Sequence, residues 1–317
     1  MPYYRNARTL PAVVAALADQ RVAPLEVIVV DDSGDHEAEP VAAGCQAAGL
    51  CIRCLRSDRR GQSGATNVGM NAAQGDVVLL TCADIVADRE LVAVHRAAHQ
   101  DASDEVAVVG RLPYADNVAM TPFMRYLSET RTQFSFEDIL DAEDVSPLYC
   151  YAPNFSVRRA TVRRIRGFDE RFVYGYQDTD LGRRLAQLGV RFVYRAAAVG
   201  FHDHPTDLGQ FVRRQYSVGD ATLVWLEKWQ NADERAKVRQ VVATYMPFVD
   251  KIDQALADVT ILERRLPAQG HLPALLRERL FNLYTLVTNT AILVGMLRQT
   301  PRLERLLGQP LAELAPR

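Results

Sequence analysis

A membrane span is the first thing this chain lacks. No run of about 18 uncharged apolar residues, the length a bilayer core requires, occurs in its 317 residues. The nearest stretch, Phe281 to Leu297, is interrupted by Asn282, Thr285, Thr288, Asn289 and Thr290. It reads first as a helix packed on its own domain and second as one that docks on a membrane surface. Met1-Pro2-Tyr3-Tyr4-Arg5 has no apolar leader, so the expected location is cytoplasmic, at the inner face of the membrane if that helix docks. Charge of one sign is missing as well. With 37 basic and 39 acidic residues the formal net charge is -2, which gives no electrostatic footprint for nucleic acid. Cysteine is scarce and odd in number, at five, which argues against a disulfide framework. Cys51 and Cys54 form a lone CxxC with Cys45 nearby. A zinc site needs a second pair, so these read as reduced structural thiols. Internal repeats and low-complexity segments are also absent.

What is present is an alternation of helix and strand patterns, which argues for βαβ units and a mainly parallel sheet. After Thr9, a candidate N-cap, Leu10, Val13, Val14 and Leu17 follow the spacing of an amphipathic helix. Glu26 to Val30 reads as a buried strand ending in Asp31-Asp32-Ser33-Gly34. A helix opening near Ser63 and closing at Gly75, and buried strands at Val77 to Leu80 and Val106 to Val109, continue the series. Residues 113–150, with Pro113, Pro122 and Pro147, predict irregular structure over a cleft. A helix over 178–188 stops at Gly189, Val190 to Tyr194 forms a further strand, and from Asp207 the pattern is helical. The expected division is an α/β sheet domain over 1–205 and a helical region over 206–317. Within the latter, Leu208, Phe211, Val212, Leu223, Trp225 and Trp229 lie among Arg213, Arg214 and Lys228, an apolar stripe that packs inward or meets a surface.

Ligands of open α/β sheets bind outside the carboxyl ends of the strands. Asp31 and Asp32 fall at one such end, and Cys82-Ala83-Asp84 just beyond another. Carboxylates there coordinate hard cations or accept hydrogen bonds from a base, while Asp31 to Gly34 also suits a plain turn. Asp178-Thr179-Asp180 opens a predicted helix, where carboxylates also serve as dipole partners. Phe201-His202-Asp203-His204-Pro205 supplies two imidazoles, common ligands of transition metals.

These clusters, in this order, resemble the family 2 glycosyltransferases of the GT-A fold. Pro2-Tyr3-Tyr4-Arg5-Asn6 is similar to the family's opening P-x-Y-N segment, and Glu26 to Gly34 to its E-(apolar)₄-D-D-x-S/G segment. Gly61 to Asp76 resembles its glycine-spaced loop and helix. Phe168-Asp169-Glu170 and Gln177-Asp178-Thr179-Asp180-Leu181 with Arg184-Leu185 resemble its GGFDE and ED-x-D-L-x-x-R-L segments. The match runs over about residues 2–220. The resemblance implies a Rossmann-like GT-A sheet flanked by helices, followed by the helical C-terminal region. It implies a nucleotide-sugar donor, UDP-linked by family preference, and a glycan or glycolipid acceptor. It implies Tyr4 stacking on the base, Asp32 or Asp31 accepting a hydrogen bond from it, and Asn67 on the nucleotide side. Asp84 would hold Mn²⁺ or Mg²⁺, with His202 or His204 completing the site. Asp178 would be the general base of an inverting displacement, and Asn154, Gln177 and Asp180 would lie toward the sugar or acceptor. Polysaccharide or glycolipid assembly is the setting that the family suggests.

Three features depart from the pattern. Cys82 stands where the D-x-D signature has its first Asp, and Gln177 where the family has Glu. The apolar strand that normally precedes P-x-Y-N is expected to be missing, which would leave backbone groups of a parallel sheet unpaired. A donor-binding protein without turnover is therefore the second reading. A nucleotidyltransferase is the third, but the basic glycine-rich phosphate loop it needs does not precede Asp31.

Overall fold

The computed structural model describes all residues except 35, 37, 42–49, 59, 267–271 and 315–317; Cys45 lies outside the described residues. They divide into two compact units. The first comprises Met1–Val118, Phe134–Glu170 and Gln177–His204, and the second Ala119–Gln133, Arg171–Tyr176 and Pro205–Arg317. The expected break near 205 has a counterpart after His204, but two earlier segments, 119–133 and 171–176, also group with the C-terminal helices.

The first unit is built on two sheets. One is parallel, in the order β1 (Pro2–Tyr3), β2 (Val27–Asp31), β3 (Ile52–Arg56). All five residues of β2 are buried because both faces are covered. Val27 and Val29 pack with Leu10, Val13, Val14 and Leu17 of α1 (Leu10–Ala18). Ile28 and Val30 turn the other way, onto Ala65 of α2 (Gly61–Ala72). The period-two alternation of a strand thus meets two helices. The candidate cap Thr9 makes no side-chain cap; its hydroxyl donates to the Ala83 carbonyl at 2.6 Å. Pro2 and Tyr3, inside the P-x-Y-N-like segment itself, pair in parallel with β2 as Pro2 with Val30 and Tyr3 with Asp31.

The second sheet has five strands in the order β4 (Val77–Thr81), β7 (Asn154–Arg158), β6 (Val106–Arg111), β8 (Arg191–His202), β5 (Ile85–Ala87). It is mixed, beside the wholly parallel first sheet. β6 and β8 run parallel, whereas β7 opposes both β4 and β6, and β5 opposes β8. β6 repeats the two-sided logic of β2. Val106 and Val108 pack with Val193 and with Ala98 of α3 (Leu91–Asp101). Ala107 and Val109 face Phe155, Leu181 and Leu185 in the largest core. The last strand is longer than Val190 to Tyr194. Its register slips between Gly110, opposite Arg195, and Arg111, opposite Val199, and it continues to His202. Residues 113–150 are not wholly irregular, since α4 (Pro122–Glu129) forms there, opened by Pro122 and capped by the Thr121 hydroxyl. After β7 come α5 (Arg159–Arg164) and α6 (Gln177–Gln187).

The second unit also contains α7 (Leu208–Trp229), α8 (Ala232–Tyr245), α9 (Ile252–Arg264), α10 (Ala274–Leu297) and α11 (Thr300–Leu307). α10 is 24 residues and, by length and composition, apolar enough to cross a membrane, which corrects the reading of Phe281 to Leu297 as too interrupted; half of its most apolar window is buried inside the fold. Leu293 and Met296 join Leu223 and Leu226 of α7 and Val242 of α8 in one core. The crossing of α7 and α10 is a contact of backbones. A Cβ on Gly219 would lie 2.2 Å from the Ile292 carbonyl oxygen, and one on Gly295 would lie 2.1 Å from that of Tyr216. Gly295→Ala should therefore cost about 3 kcal/mol, the upper part of the overpacking range. Urea unfolding checks this; an unchanged midpoint would show that the helices separate freely.

Candidate active site

Three side chains of the first unit gather beyond the strand ends. Asp84 lies in the turn between β4 and β5, and His202 ends β8 directly opposite Ile85. Asp84 Oδ2 is 3.2 Å from His204 Nδ1 and 3.9 Å from His202 Nε2. One ligand atom from each of the three residues lies within 4.8 Å of the others. The two imidazoles stack at 5.5 Å and 8°, and Tyr114 stacks on the outer face of His202 at 5.7 Å and 15°. Burial pushes the Asp84 carboxyl toward its neutral form. The His204 hydrogen bond and the charge of both imidazoles overcome this and hold its pKa below the ordinary value. One anionic oxygen and two nitrogens could hold a divalent cation, and the set is small enough to leave coordination positions for further oxygen ligands.

Asp203, between the two histidines, is held from outside. Arg8 donates from Nη1 to Oδ2 at 3.0 Å, and from Nη2 to Oδ1 at 2.9 Å and to the Asp203 carbonyl at 2.8 Å. Asn117 adds a donor at 3.3 Å. Sequence reading passed over Arg8 and Asp203. The only available signal was an acid placed inside a His-x-His motif.

Asp178 sits in the first turn of α6. Ala152 N–H donates to its Oδ2 at 3.2 Å, while Oδ1 is enclosed without a hydrogen-bond partner among the described residues. Burial raises its pKa to about 7, against a weaker lowering by the Ala152 N–H. Cys82 ties it to the cation cluster. Burial first, then the charge of Asp84 and, more weakly, of Asp178, push that thiol well up. The residue in place of the signature's first Asp is thus a neutral thiol.

The two aspartates at the end of β2 divide their tasks. Asp32 accepts from the Ser57 hydroxyl, from Arg60 N–H at 2.7 Å and from Gly61 N–H at 2.9 Å. It fastens the start of α2. Asp31 accepts from Ser33 through Oδ1 alone. Its Oδ2 is buried without a hydrogen-bond partner among the described residues, and Asp31 lines a hollow of about 280 Å³ with Gly34, His36, Arg56 and Asp58. Tyr4 is 61% exposed, with the Arg5 guanidinium 5.5 Å from its ring centroid, so one apolar face is available for stacking.

Four other expectations meet interior chemistry. Asn67 donates to the Phe168 carbonyl and to Glu170 and accepts from Phe168 N–H at 2.8 Å, so its amide pins the Phe168-Asp169-Glu170 turn. Gly167 allows that approach: its φ is +68°, and a Cβ there would lie 2.3 Å from Asn67 Oδ1. Asp180 is wholly buried and paired with Arg184 at 2.7 Å, which in turn donates to the carbonyls of Ile165 and Gly167. It is an internal brace. Asn154 is 1% exposed. It donates to the carbonyls of Arg111 and Ala198, fastening the register slip of β8, and accepts from His95 Nε2 at 2.8 Å. Gln177 is buried, with Oε1 unpartnered among the described residues. The four described cysteines are free thiols, and burial raises Cys54 to about 11.

A parallel sheet between two helices, joined by a mixed sheet with carboxylates and imidazoles at its strand ends, defines a GT-A-type α/β protein. The chain belongs to glycosyl transferase family 2, whose model matches residues 1–166. An uncharacterized glycosyltransferase, YfnE of Bacillus subtilis, is 24% identical over 57% of this chain and 58% of its own. A pre-mycofactocin glycosyltransferase of Mycobacterium tuberculosis is 29% identical over 69% of this chain and 45% of its own. The chain thus spans about half the length of the curated relatives it matches. Among solved structures, a Pyrobaculum calidifontis mannosyltransferase in complex with GDP-Man and Mn²⁺ superposes with a TM-score of 0.58. It is 20% identical and covers 94% of this chain and 84% of that one. Residues 1–349 of Staphylococcus aureus TarS in complex with UDP-GlcNAc give 0.53 at 15% identity, over 97% and 90%. At these identities the likeness is one of fold.

Proposed function

We propose that the chain is an inverting glycosyltransferase that takes a sugar from a nucleoside-diphosphate donor and delivers it to a hydroxyl of a glycan or glycolipid. The observation that carries this reading is the meeting of Asp84, His202 and His204 at the strand ends, with a carboxylate of raised pKa, Asp178, near enough for both acids to act on Cys82. A divalent cation held by the three ligands would supply Lewis-acid neutralisation of the departing diphosphate. The chain's own groups do the rest. Tyr4 offers a ring face to the base, and Asp31 Oδ2 an acceptor for a base N–H such as that of uracil. Asp178 takes the proton of the acceptor hydroxyl. With the Ala152 N–H on Oδ2, the enclosed Oδ1 is the atom left to receive it. Direct displacement needs no covalent nucleophile, so the product anomer is inverted. The donor-binding protein without turnover remains the second reading, favoured by Cys82 in the metal signature. A cytoplasmic site at a membrane belongs to the first reading, with α10 the contact, and flotation with anionic vesicles tests it.

Thermal-shift titration with UDP- and GDP-sugars, with and without Mn²⁺, is the experiment. Donor should stabilise the wild-type protein only in the presence of Mn²⁺. Outer partners of metal ligands are worth about 10- to 100-fold in affinity, so Asp84→Asn, which alters a direct ligand, should weaken Mn²⁺-dependent donor binding by at least that factor. Donor binding indifferent to both the metal and Asp84 would sink the proposal.

A further inference from the structure

The metal ligands come from two separate strand ends, and one short segment grips both. Thr9 Oγ1 donates to the Ala83 carbonyl, the residue before Asp84. Arg8, its neighbour, holds Asp203, the residue between His202 and His204, by three hydrogen bonds of 2.8 to 3.0 Å. Asp203 N–H in turn donates to the Asp84 carbonyl at 2.9 Å. The Asp203 side chain is 11% exposed, and this fork is its charged partner. The same segment opens with Tyr4 and with Arg5, whose φ is +47°. A shift of residues 4–9 would therefore reach the exposed Tyr4 ring, Asp84 and both imidazoles together.

We propose that Arg8 and Asp203 act as a positioning pair. Their bidentate fork fixes the separation of Asp84 from His202 and His204, and so sets the affinity for the divalent cation and couples it to the Tyr4 segment. Arg8 and Asp203 donate no ligand atom. Their contribution is to hold the His202-Asp203-His204 segment against the Asp84 turn before the cation arrives, which removes the entropy cost of assembling three ligands from two loops. The proposal rests on the metal-site reading above, and the test separates the two.

The probe is Mn²⁺ alone, followed by electron paramagnetic resonance of free Mn²⁺ on the full chain. Asp84→Asn should abolish binding. Arg8→Gln and Asp203→Asn should each weaken it by roughly 10- to 100-fold. The double variant should lose no more than the worse single one, because the two act as one unit. Arg8→Lys, which keeps the charge but not the fork, should recover binding only in part. Circular dichroism and melting curves on each variant confirm that the loss is not unfolding. If Asp84→Asn abolishes binding while Arg8→Gln binds like wild type, the positioning pair is overturned and the metal site stands. Additive losses in the double variant overturn it equally. If Asp84→Asn binds Mn²⁺ like wild type, both the pair and the metal site fall.

Discussion

Asp178→Asn should lower the turnover of sugar transfer by about a hundred- to ten-thousand-fold, the usual contribution of a positioned general base. Mn²⁺ and donor affinity should stay near wild type, because the Asp178 carboxylate is not among the three clustered ligand atoms. The wild-type rate should also carry the titration of this group. Burial raises its pKa to about 7, and a base works only when deprotonated. Turnover should therefore climb with pH, reach half its plateau near pH 7, and level off above. Stability runs the other way. The folded-state pKa lies above the ordinary value of 3.8, so folding binds the extra proton below pH 7. That contribution is full below pH 3.8 and is lost as pH rises through 7. An uncharged asparagine escapes the penalty, so the variant should be more stable than wild type at pH 8, by up to about 4 kcal/mol. Single-turnover kinetics and urea unfolding at pH 6 and 8 check both halves. A variant that is slow and also less stable at pH 8 would point to a structural role for Asp178.

Sequence reached the architecture where a pattern has one physical cause. Val27 to Val30 is apolar throughout because α1 and α2 cover both faces of one strand, and an unbroken β-branched run before two aspartates is the mark of that arrangement. It failed where topology is set by distant pairings. Nothing local in Asn154 to Arg158 reveals that this strand opposes both β4 and β6. The site divides similarly. Asp84, His202 and His204, singled out by residue type at strand ends, lie together in the structure. Asp32, Asn67, Asn154 and Asp180 carry the same polar chemistry, yet each is spent on buried backbone groups or a buried partner. A polar side chain that caps a helix, braces a turn or fastens a register slip reads like a ligand contact until its neighbours are known. Arg8 was missed for the converse reason: its partner lies 195 residues away.

Acid should unfold this protein earlier than its carboxylates alone would require, because two neutral imidazoles lie beneath the second sheet. Asn154 Nδ2 faces two carbonyls, so its Oδ1 faces His95, and His95 Nε2 must carry a hydrogen. Its Nδ1 then accepts from Ser156 Oγ at 2.8 Å, and His99 Nε2 donates to that same hydroxyl at 2.8 Å. Every proton in the chain is thereby assigned, and a second one on His95 Nδ1 would point at the hydrogen of Ser156. Burial, the largest cause, lowers both histidines from 6.5 to about 4. With folded-state pKa values below the unfolded ones, their contribution is complete above pH 6.5 and is lost as pH falls toward 4. For His95, fully enclosed, linkage gives a loss of about 2 kcal/mol by pH 5 and about 3 by pH 4. Asp178 titrates with the opposite sign over part of this range, so the comparison belongs in an Asp178→Asn background. There, His95→Gln should start less stable at pH 7, having lost a buried partner, but should lose about 2 kcal/mol less than its parent between pH 7 and 5. Parallel urea-unfolding curves for the two proteins across that interval would mean that His95 keeps its ordinary pKa and that the neutral chain of hydrogen bonds does not exist.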